Sequence, residues 1–324
     1  MILLDYLTTS VVLATYNGEK YILEQLNSLL MQTHKIDEVL IADDCSTDNT
    51  VNIINQFIES NNLFPKWKLN INKKNKGYKR NFYDLSLKAT GDIIYFCDQD
   101  DVWSKSKVEK TINVFHKHPS INVLCTDMDF ISNGENPLIW SKKYVQEMRN
   151  DEQVEFVKFN SQTFFCQRSG CVMCVKNDFF KEISPFWNEE WAQDDFVWKF
   201  ATITNSCAIL HFKAIKRRLH ENNTTFIKLR TREHRLNQIE SQETFYNSIE
   251  EFIKNNQLFN NEGIQKILLK NQKSLEIRYS MIKYHNIFKW LSLALLYRDC
   301  YPWNKALFLD LYFIFSKEYK QGGE

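Results

Sequence analysis

Residues 10–118 alternate between short apolar runs and segments with helical periodicity, and this alternation limits the fold more than any other feature. SVVLAT at 10–15, EVLIA at 38–42 and DIIYFC at 92–97 have the continuous apolar pattern of strands covered on both faces. WKLNIN at 67–72 is a more exposed strand. The intervening segments place apolar residues three and four positions apart, as amphipathic helices do. Short connections between these elements predict an open, mostly parallel α/β sheet.

Beyond residue 120 the alternation becomes irregular. The runs at 121–131 and 170–175 are predicted strands, and CAILHFKAIKRRLH at 207–220 is a predicted hairpin or bent pair of strands. Residues 102–118 are predicted as one helix, and the chain is helical from about residue 231. The fold class is therefore α/β, with a mostly parallel central sheet and an α-helical C-terminal extension.

Polar and acidic residues follow three of the predicted strands. In a parallel sheet the carboxyl ends of the strands meet at one edge, where ligands bind. We therefore expect a single site built from three clusters: Thr15-Tyr16-Asn17, Asp43-Asp44 and Asp98-Gln99-Asp100-Asp101.

The acidic cluster after residue 97 indicates a cation site. Carboxylates two positions apart in an extended chain point the same way, and clustered carboxylates repel one another unless a cation lies among them. Ligands that are all oxygen favour Mg²⁺ or Mn²⁺. The alternative is that Asp100 or Asp101 is simply the N-cap of the following helix.

Four ordered blocks of sequence resemble the family 2 glycosyltransferases, which are inverting enzymes of the GT-A fold. The blocks lie within residues 10–104 and read VVLATYNGEKYILEQLNSLLMQT, VLIADDCSTDNT, NKGYKRNF and ATGDIIYFCDQDDVW. They are most similar to the bacterial branch that contains rhamnosyltransferases and other surface-polysaccharide enzymes. The resemblance implies a nucleoside-diphosphate sugar as donor, a divalent metal ion, and transfer with inversion at the anomeric carbon.

The resemblance also implies a set of donor contacts. Tyr16 would lie against the base and Asp44 would accept a hydrogen bond from a pyrimidine imide, since uracil and thymine offer one N–H donor and a flat face. A rim aromatic and a turn are the ordinary alternatives for these positions. Cys45 stands where the family commonly has Gly, which predicts that the turn avoids positive φ. The full set of nucleotide-sugar contacts is Thr15, Tyr16, Asn17, Asp43, Asp44, Arg80, Asp98 and Arg218.

A second acidic pair, Asp194-Asp195, opens a predicted helix. Transfer with inversion needs a base that removes the proton of the acceptor hydroxyl, and the resemblance implies Asp195 for this role with Asp194 beside it. Two acids at a helix start are equally compatible with a cap and a favourable dipole charge. The acceptor-binding residues implied by the resemblance are Gly170, Cys171 and Trp191.

The run RRLHENN at 217–223 resembles the segment that closes the catalytic domain in many relatives. A leaving nucleoside diphosphate develops charge that a metal ion, an arginine and a histidine stabilise. We expect Arg218 and His220 to do so here. The predicted ligands of Mn²⁺ or Mg²⁺ are Asp98, Asp100, Asp101 and His220.

The predicted catalytic domain covers residues 1–228, with a nucleotide-binding half at about 8–104 and an acceptor half at about 105–228, before a helical region at 229–324. Residues 1–204 carry 22 Lys and Arg against 28 Asp and Glu, whereas the remaining residues carry 19 against 12. The basic helical region favours contact with anions or a membrane surface. A helical cap on the catalytic domain and an oligomer contact remain open alternatives.

The sequence predicts a cytoplasmic protein, with peripheral contact to the inner face of the membrane. The eight cysteines lie mostly in apolar runs, as reduced and buried thiols do. The N-terminal run contains Asp5 and is too short for a signal peptide. We find no stretch of about 18 apolar residues, the length needed to cross a bilayer.

The leading interpretation is an inverting, non-processive glycosyltransferase that moves one sugar from a UDP- or dTDP-sugar to a glycan or lipid-linked acceptor. The acceptor belongs to capsule or O-antigen synthesis in this interpretation. No Arg-Trp dipeptide of the kind found in processive synthases occurs in the chain. A non-catalytic scaffold that binds nucleotide sugars or glycans, and a nucleotidyltransferase on a related fold, are the alternatives.

Overall fold

The computed structural model describes residues 6–132, 148–165, 168–220, 231–256, 262–301 and 304–315. These residues form two compact units. The first contains the described parts of Met1–Val157, Arg168–Pro185 and Trp191–Asn223, and the second those of Lys158–Gln167, Phe186–Glu190 and Thr224–Glu324.

The first unit alternates strands and helices along its N-terminal part and becomes strand-rich afterwards. Its strands are β1 Thr9–Thr15, β2 Glu38–Asp43, β3 Trp67–Ile71, β4 Ile93–Asp98, β5 Val102–Trp103, β6 Val123–Ser132, β7 Val154–Phe156, β8 Met173–Lys176 and β9 Cys207–Leu219. Its helices are α1 Ile22–Leu30, α2 Thr50–Ser60, α3 Tyr78–Ser86, α4 Lys107–Lys117, α5 Asn177–Ile183 and α6 Gln193–Ile203.

The strands of the described residues form one nine-stranded sheet. Its order is β3-β2-β1-β4-β8-β6-β9-β5, and β7 pairs with β9. Strands β1 to β4 are parallel to one another, β6 is parallel to β9, and β5, β7 and β8 run antiparallel to their neighbours. The mostly parallel sheet predicted from the sequence is confirmed.

The sheet is buried because helices cover both of its faces. Val11, Val12 and Leu13 of β1 and Ile93 and Ile94 of β4 are fully inaccessible to solvent. Such continuous apolar strands are stable only between two covering layers. In β3 only Trp67 is buried and the other four positions are partly or fully exposed, as the sequence predicted for a less covered strand.

Three sequence-based predictions of local structure are wrong. The helix expected at 102–118 begins only at Lys107, because Val102 and Trp103 pair with β9. The strand expected at 170–175 begins at Met173, after a 3₁₀ turn. The expected hairpin at 207–220 is the single strand β9, whose pairing with β6 shifts register at Asp127. That bulge bends a strand without reversing it.

The second unit is helical in its described part. It contains α7 Arg232–Asn255, α8 Glu262–Lys283, α9 Phe288–Leu296 and α10 Asn304–Phe315. Thr231 is the N-cap of α7 and accepts a hydrogen bond from the His234 amide, which explains why the helix begins there. None of the helices in the described ranges combines the length and the apolar character required to span a membrane.

A buried carboxylate joins the helices of this unit. Asp310 is fully inaccessible to solvent and accepts hydrogen bonds from Arg235, Arg278 and Tyr301. The Arg278 guanidinium also stacks over the Tyr301 ring, 4.5 Å from its centroid. Burial tends to raise the pKa of Asp310, but the charges and hydrogen bonds of both arginines outweigh it and lower the pKa.

We expect Asp310→Asn to lower the free energy of unfolding by about 3 kcal/mol or more, because two buried guanidinium groups lose their counter-charge. Denaturant titration followed by far-UV circular dichroism measures this loss. Because the folded-state pKa of Asp310 is lowered, its stabilising contribution is present above the unfolded carboxyl pKa and disappears as the pH falls through the folded pKa.

Asp299→Asn is the matched control, because Asp299 is exposed and its ion pair with Lys270 lies on the surface. We expect it to change stability by less than about 0.5 kcal/mol. Equal effects of the two substitutions would contradict the structural role of Asp310.

Candidate active site

The acidic residues at the end of β4 form a compact group, in which Asp98 is partly buried and Asp101 is buried. Ligand atoms of Asp98, Asp101 and Cys171 all lie within 4.8 Å of one another. One oxygen of Asp101 accepts the Arg218 amide at 3.1 Å, and its other oxygen, Oδ2, is buried and has no hydrogen-bond partner among the described residues. A buried carboxylate oxygen with no partner is costly, so this group is suited to hold a cation.

Burial is the largest influence on these two carboxyls. It raises the pKa of Asp98 to about 6, and the neighbouring charge of Asp100 adds to the rise. Burial and the charges of Asp98 and Asp100 raise the pKa of Asp101 well above its usual value. A divalent cation would oppose both effects, because it favours the ionised form of each carboxyl.

Two basic side chains that were not among the predicted site residues, Arg217 and Lys107, act on this group. The Arg217 guanidinium lowers the pKa values of Asp98 and Asp101 and donates to the Ser169 hydroxyl at 3.0 Å. Lys107 is fully buried, donates to the Cys171 carbonyl at 2.9 Å and lies 3.5 Å from the Trp103 ring centroid. Both reduce the repulsion among the acids.

Arg218, which the sequence favoured over Arg217, contacts a different part of the structure. Its guanidinium pairs with Glu24, donates to the Asp100 carbonyl at 3.1 Å and stacks over the Tyr21 ring. The side chains of successive strand residues point to opposite faces. Arg217 therefore faces the acidic group, whereas Arg218 packs beneath the loop that carries it.

His220 lies beside the acidic loop, as predicted. Its Nε2 is 2.7 Å from Oδ2 of Asp100, and its ring stacks on Tyr21 at 5.1 Å between centroids. The four predicted metal ligands thus form two neighbouring sets: Asp98 and Asp101 with the Cys171 thiol, and Asp100 with His220. Their role as ligands stays a prediction.

The acids at the start of α6 have different surroundings. Oδ2 of Asp194 accepts the Gly170 amide at 3.1 Å, and its Oδ1 accepts the Asp195 amide at 2.8 Å. Burial and the charge of Asp195 raise the pKa of Asp194 to about 6. Asp195 accepts a hydrogen bond from Lys199, one helical turn later, and Lys199 is fully buried. Lys199 was not among the site residues predicted from the sequence.

The two acidic groups lie together, although almost a hundred residues separate them in the chain. The segment that binds Asp194 through Gly170 continues to Cys171, whose thiol adjoins Asp98. The Tyr78 side chain is 44% exposed; partial burial raises the pKa of its hydroxyl, and the charges of Asp194, Asp98 and Asp195 raise it further. Sequence spacing alone contained no signal for Tyr78.

The acids after β2 are already occupied by protein partners. Asp43 is fully buried and accepts hydrogen bonds from the Thr15 hydroxyl and from Ser46. Asp44 accepts the backbone amides of Lys76 and Gly77. Asp44 therefore anchors the loop before α3, and base recognition by Asp43 or Asp44 stays a prediction.

The loop after β1 is held by Gln99, which the sequence placed in the acidic cluster without assigning it a role. The Gln99 amide accepts from the Tyr16 backbone N–H and donates to the Tyr16 carbonyl, both at 2.9 Å. These two hydrogen bonds engage only the Tyr16 backbone. The Tyr16 ring is half exposed, in a position to lie against a flat ligand. A Cβ on Gly18 would lie 2.3 Å from Gln99 Oε1, so a larger residue there would displace the Gln99 side chain from Tyr16.

The turn after β2 does not avoid positive φ, and that sequence-based prediction is wrong. Cys45 has φ +70°, a conformation that costs a non-glycine residue about 1–2 kcal/mol. Its thiol donates to the Asn72 carbonyl at 3.1 Å. On the other side of the loop, the Asn17 side chain accepts the Thr47 amide at 2.8 Å.

The remaining predicted contacts differ in exposure. Arg80 pairs with Asp84 one turn along α3 and is partly exposed. Cys171 and Trp191 are each only 1% exposed, so in this structure neither side chain offers a surface to an acceptor. Acceptor binding by Gly170, Cys171 and Trp191 and nucleotide binding by Arg80 stay predictions.

A family profile described as Glycosyl transferase family 2 matches residues 10–177, which is more than half of the chain. The chain belongs to this family. The resemblance found in four blocks of sequence is thereby confirmed, and the acidic loop after β4 and the strands that support it lie within the matched residues.

Two relatives of the chain carry names that concern sugar transfer. An uncharacterized glycosyltransferase of Nostoc is 35% identical over 36% of this chain and 35% of its own length. The dTDP-rhamnosyl transferase RfbG of Shigella flexneri is 32% identical over 65% of this chain and 72% of its own length. The chain thus spans about a third of one of these relatives and most of the other.

The fold is similar to that of a solved fragment of Staphylococcus aureus TarS. Residues 1–349 of TarS, in complex with UDP-GlcNAc, align with a TM-score of 0.59 at 20% identity, covering 94% of this chain and 89% of that one. At this identity the likeness shows the fold, and it confirms the predicted GT-A architecture.

We expect Mn²⁺ to raise the melting temperature, and Asp101→Asn to remove most of that rise. At a hundred times its Kd, a bound ligand adds about 2.7 kcal/mol to stability. Without divalent cations the same variant should change stability by less than about 1 kcal/mol, because the amide keeps the acceptor for Arg218 and removes like-charge repulsion.

Asp129→Asn, on an exposed carboxylate that lies 3.9 Å from Lys213, is the control and should respond to Mn²⁺ as the unmodified protein does. An unchanged response in Asp101→Asn would show that Asp101 holds no cation.

Proposed function

We propose that this protein is an inverting glycosyltransferase that moves one sugar from a pyrimidine nucleoside-diphosphate sugar to an acceptor hydroxyl. The observation that supports this proposal best is that one short segment joins two acidic groups: the Gly170 amide binds Asp194, which precedes Asp195, and the Cys171 thiol adjoins Asp98 and Asp101. A donor phosphate and an acceptor hydroxyl need charges of this kind on opposite sides of the reacting carbon.

The first group would hold the donor. Asp98 and Asp101, with Asp100 and His220 beside them, would bind Mn²⁺ or Mg²⁺, an ion that supplies Lewis-acid stabilisation of the diphosphate when bound. The guanidinium of Arg217 faces the same group and would stabilise negative charge on the departing diphosphate. The half-exposed ring of Tyr16 would lie against the base.

The second group would supply the base. In our proposal Asp195 takes the proton of the acceptor hydroxyl, the freed oxygen attacks the anomeric carbon, and the bond from that carbon to the diphosphate oxygen breaks. Lys199 fixes the orientation of the Asp195 carboxylate, and the Gly170 amide fixes that of Asp194. A carboxylate held in one orientation loses less conformational entropy on reaching the geometry of reaction.

The acceptor is proposed to be a glycan or lipid-linked sugar of a bacterial surface polysaccharide, and the enzyme to work in the cytoplasm at the inner face of the membrane. RfbG is named for a dTDP-sugar, and the TarS fragment is bound to UDP-GlcNAc. We therefore propose a uracil or thymine nucleotide and leave the sugar to experiment.

The direct test is incubation with UDP-GlcNAc, dTDP-rhamnose and a GDP-sugar in the presence of Mn²⁺. We expect release of UDP or dTDP, and none of GDP, with the anomeric configuration of the product opposite to that of the donor by NMR. Binding of a pyrimidine sugar nucleotide with no transfer or hydrolysis would favour the scaffold alternative. Release of pyrophosphate would contradict glycosyl transfer.

Substitutions distinguish the roles of the two acids at the start of α6. We expect Asp195→Asn to lower kcat by a factor of about 10²–10⁴, the usual contribution of a general base, while donor binding is kept. Asp194→Asn should cost less, because the amide keeps the acceptor oxygen for a neighbouring backbone N–H. Single-turnover kinetics and isothermal titration with UDP measure the two effects.

Lys199→Met tests the orientation of Asp195 and should lower kcat with little effect on the KM of the donor, whereas Lys199→Arg should recover part of the rate. A larger loss of kcat in Asp194→Asn than in Asp195→Asn would show that Asp194, and not Asp195, is the base.

A further inference from the structure

An exposed apolar surface lies on α9 and α10 of the second unit. In α9 only Leu293 is buried. Phe288 and Leu295 are each 80% exposed, and Leu291 lies on the same stripe at helical spacing. The exposed side chains of this apolar helix surface are Phe288, Leu291, Leu295 and Leu296 of α9 and Phe308, Tyr312 and Phe315 of α10.

The two helices present these side chains together. Trp290 of α9 packs against Phe308 of α10 with the rings tilted and 5.7 Å between their centroids, and its indole N–H donates to the Leu307 carbonyl. Phe308, Tyr312 and Phe315 follow one another at the spacing of a single helix face, while Leu307 is buried on the opposite face. Each helix therefore already packs through one face and exposes a second apolar one.

Positive charge accompanies the apolar helix surface. Residues 283–315 carry four basic side chains, Lys283, Lys289, Arg298 and Lys305, against two acidic ones, Asp299 and Asp310. Asp310 is fully buried with its arginine partners, so it leaves no negative charge at the surface. Lys305 begins the exposed stripe of α10, and Lys283 precedes α9.

We propose that the apolar helix surface binds an anionic lipid bilayer, with α9 and α10 lying in the plane of the headgroups. Helices with exposed Phe, Leu and Trp and adjacent lysines bind membranes in this way, since apolar side chains enter the acyl boundary and lysines remain among anionic headgroups. A bilayer also accepts the amphipathic rings of Tyr312 and Trp290 at its interface.

Charge favours a bilayer over a second copy of the chain. In a two-fold symmetric dimer the same patch meets itself, so the lysines beside this surface would approach lysines. Of the two carboxylates in residues 283–315, Asp310 is buried and the exposed Asp299 pairs with Lys270. An anionic lipid surface meets both the apolar and the positive parts. The inference does not rest on the proposed sugar transfer.

The test is vesicle flotation of the full chain. Vesicles of phosphatidylcholine alone are compared with vesicles in which phosphatidylglycerol is mixed with phosphatidylcholine. We expect binding to the anionic vesicles that weakens as salt rises. The triple variant Phe288→Gln, Leu291→Gln, Leu295→Gln should bind at least about tenfold more weakly, because three apolar anchors are lost.

A matched control replaces three exposed leucines elsewhere, Leu23→Gln, Leu87→Gln and Leu269→Gln, and should bind as the unmodified chain does. The pair Lys283→Gln and Lys305→Gln should weaken binding to anionic vesicles about fivefold per lysine. Lys35→Gln with Lys88→Gln is the control for that pair. The replaced side chains of the triple variant are exposed, so circular dichroism should show an unchanged fold.

Three results would overturn the proposal. The first is absence of binding to anionic vesicles by the unmodified chain. The second is equal binding by the triple variant and its control. The third is that the unmodified chain does not bind vesicles but forms a dimer, measured by sedimentation equilibrium, and that the triple variant does not form this dimer. UDP binding, measured in parallel, should be the same in all variants, so failure here leaves the proposed sugar transfer intact.

Discussion

The close approach of two carboxylates, the partly buried Asp98 and the buried Asp101, is the constraint on which the rest of the site depends. Apolar strands carry the chain into a covered sheet, and the acids follow immediately where the strand ends. Both pKa values are raised, and Asp101 keeps an oxygen without a partner in the described structure. Arg217 and Lys107 reduce the repulsion, and a cation would complete the compensation.

The same acids organise the segments around them. Arg218 spans from the Asp101 carboxylate to Glu24, and His220 contacts Asp100, so the last strand of the sheet is tied to the acidic loop. Gly170 extends the arrangement to Asp194 through a backbone amide. The acidic residues at the end of one strand therefore make contacts with segments that lie far along the chain.

Sequence reasoning succeeded where one chemical pattern occupies one short stretch. The apolar runs of β1, β2 and β4 identified the parallel sheet, and the acids beyond Cys97 identified the site. It failed where the outcome depends on distant contacts. Pairing with β9 turns Val102 and Trp103 into a strand, and a hydrogen bond to Asn72 accompanies positive φ at Cys45.

The sequence by itself determined the fold class, the family and the edge of the sheet where the acids gather, because periodicity and composition are local properties. Only the tertiary structure decided which arginine faces those acids. Arg217 and Arg218 are chemically identical neighbours, and the direction of each side chain follows from the pairing and bulge of β9 with β6. Tyr78 and Lys199 became recognisable only through contacts made in the fold, and only the fold showed that Gln99 holds the Tyr16 backbone.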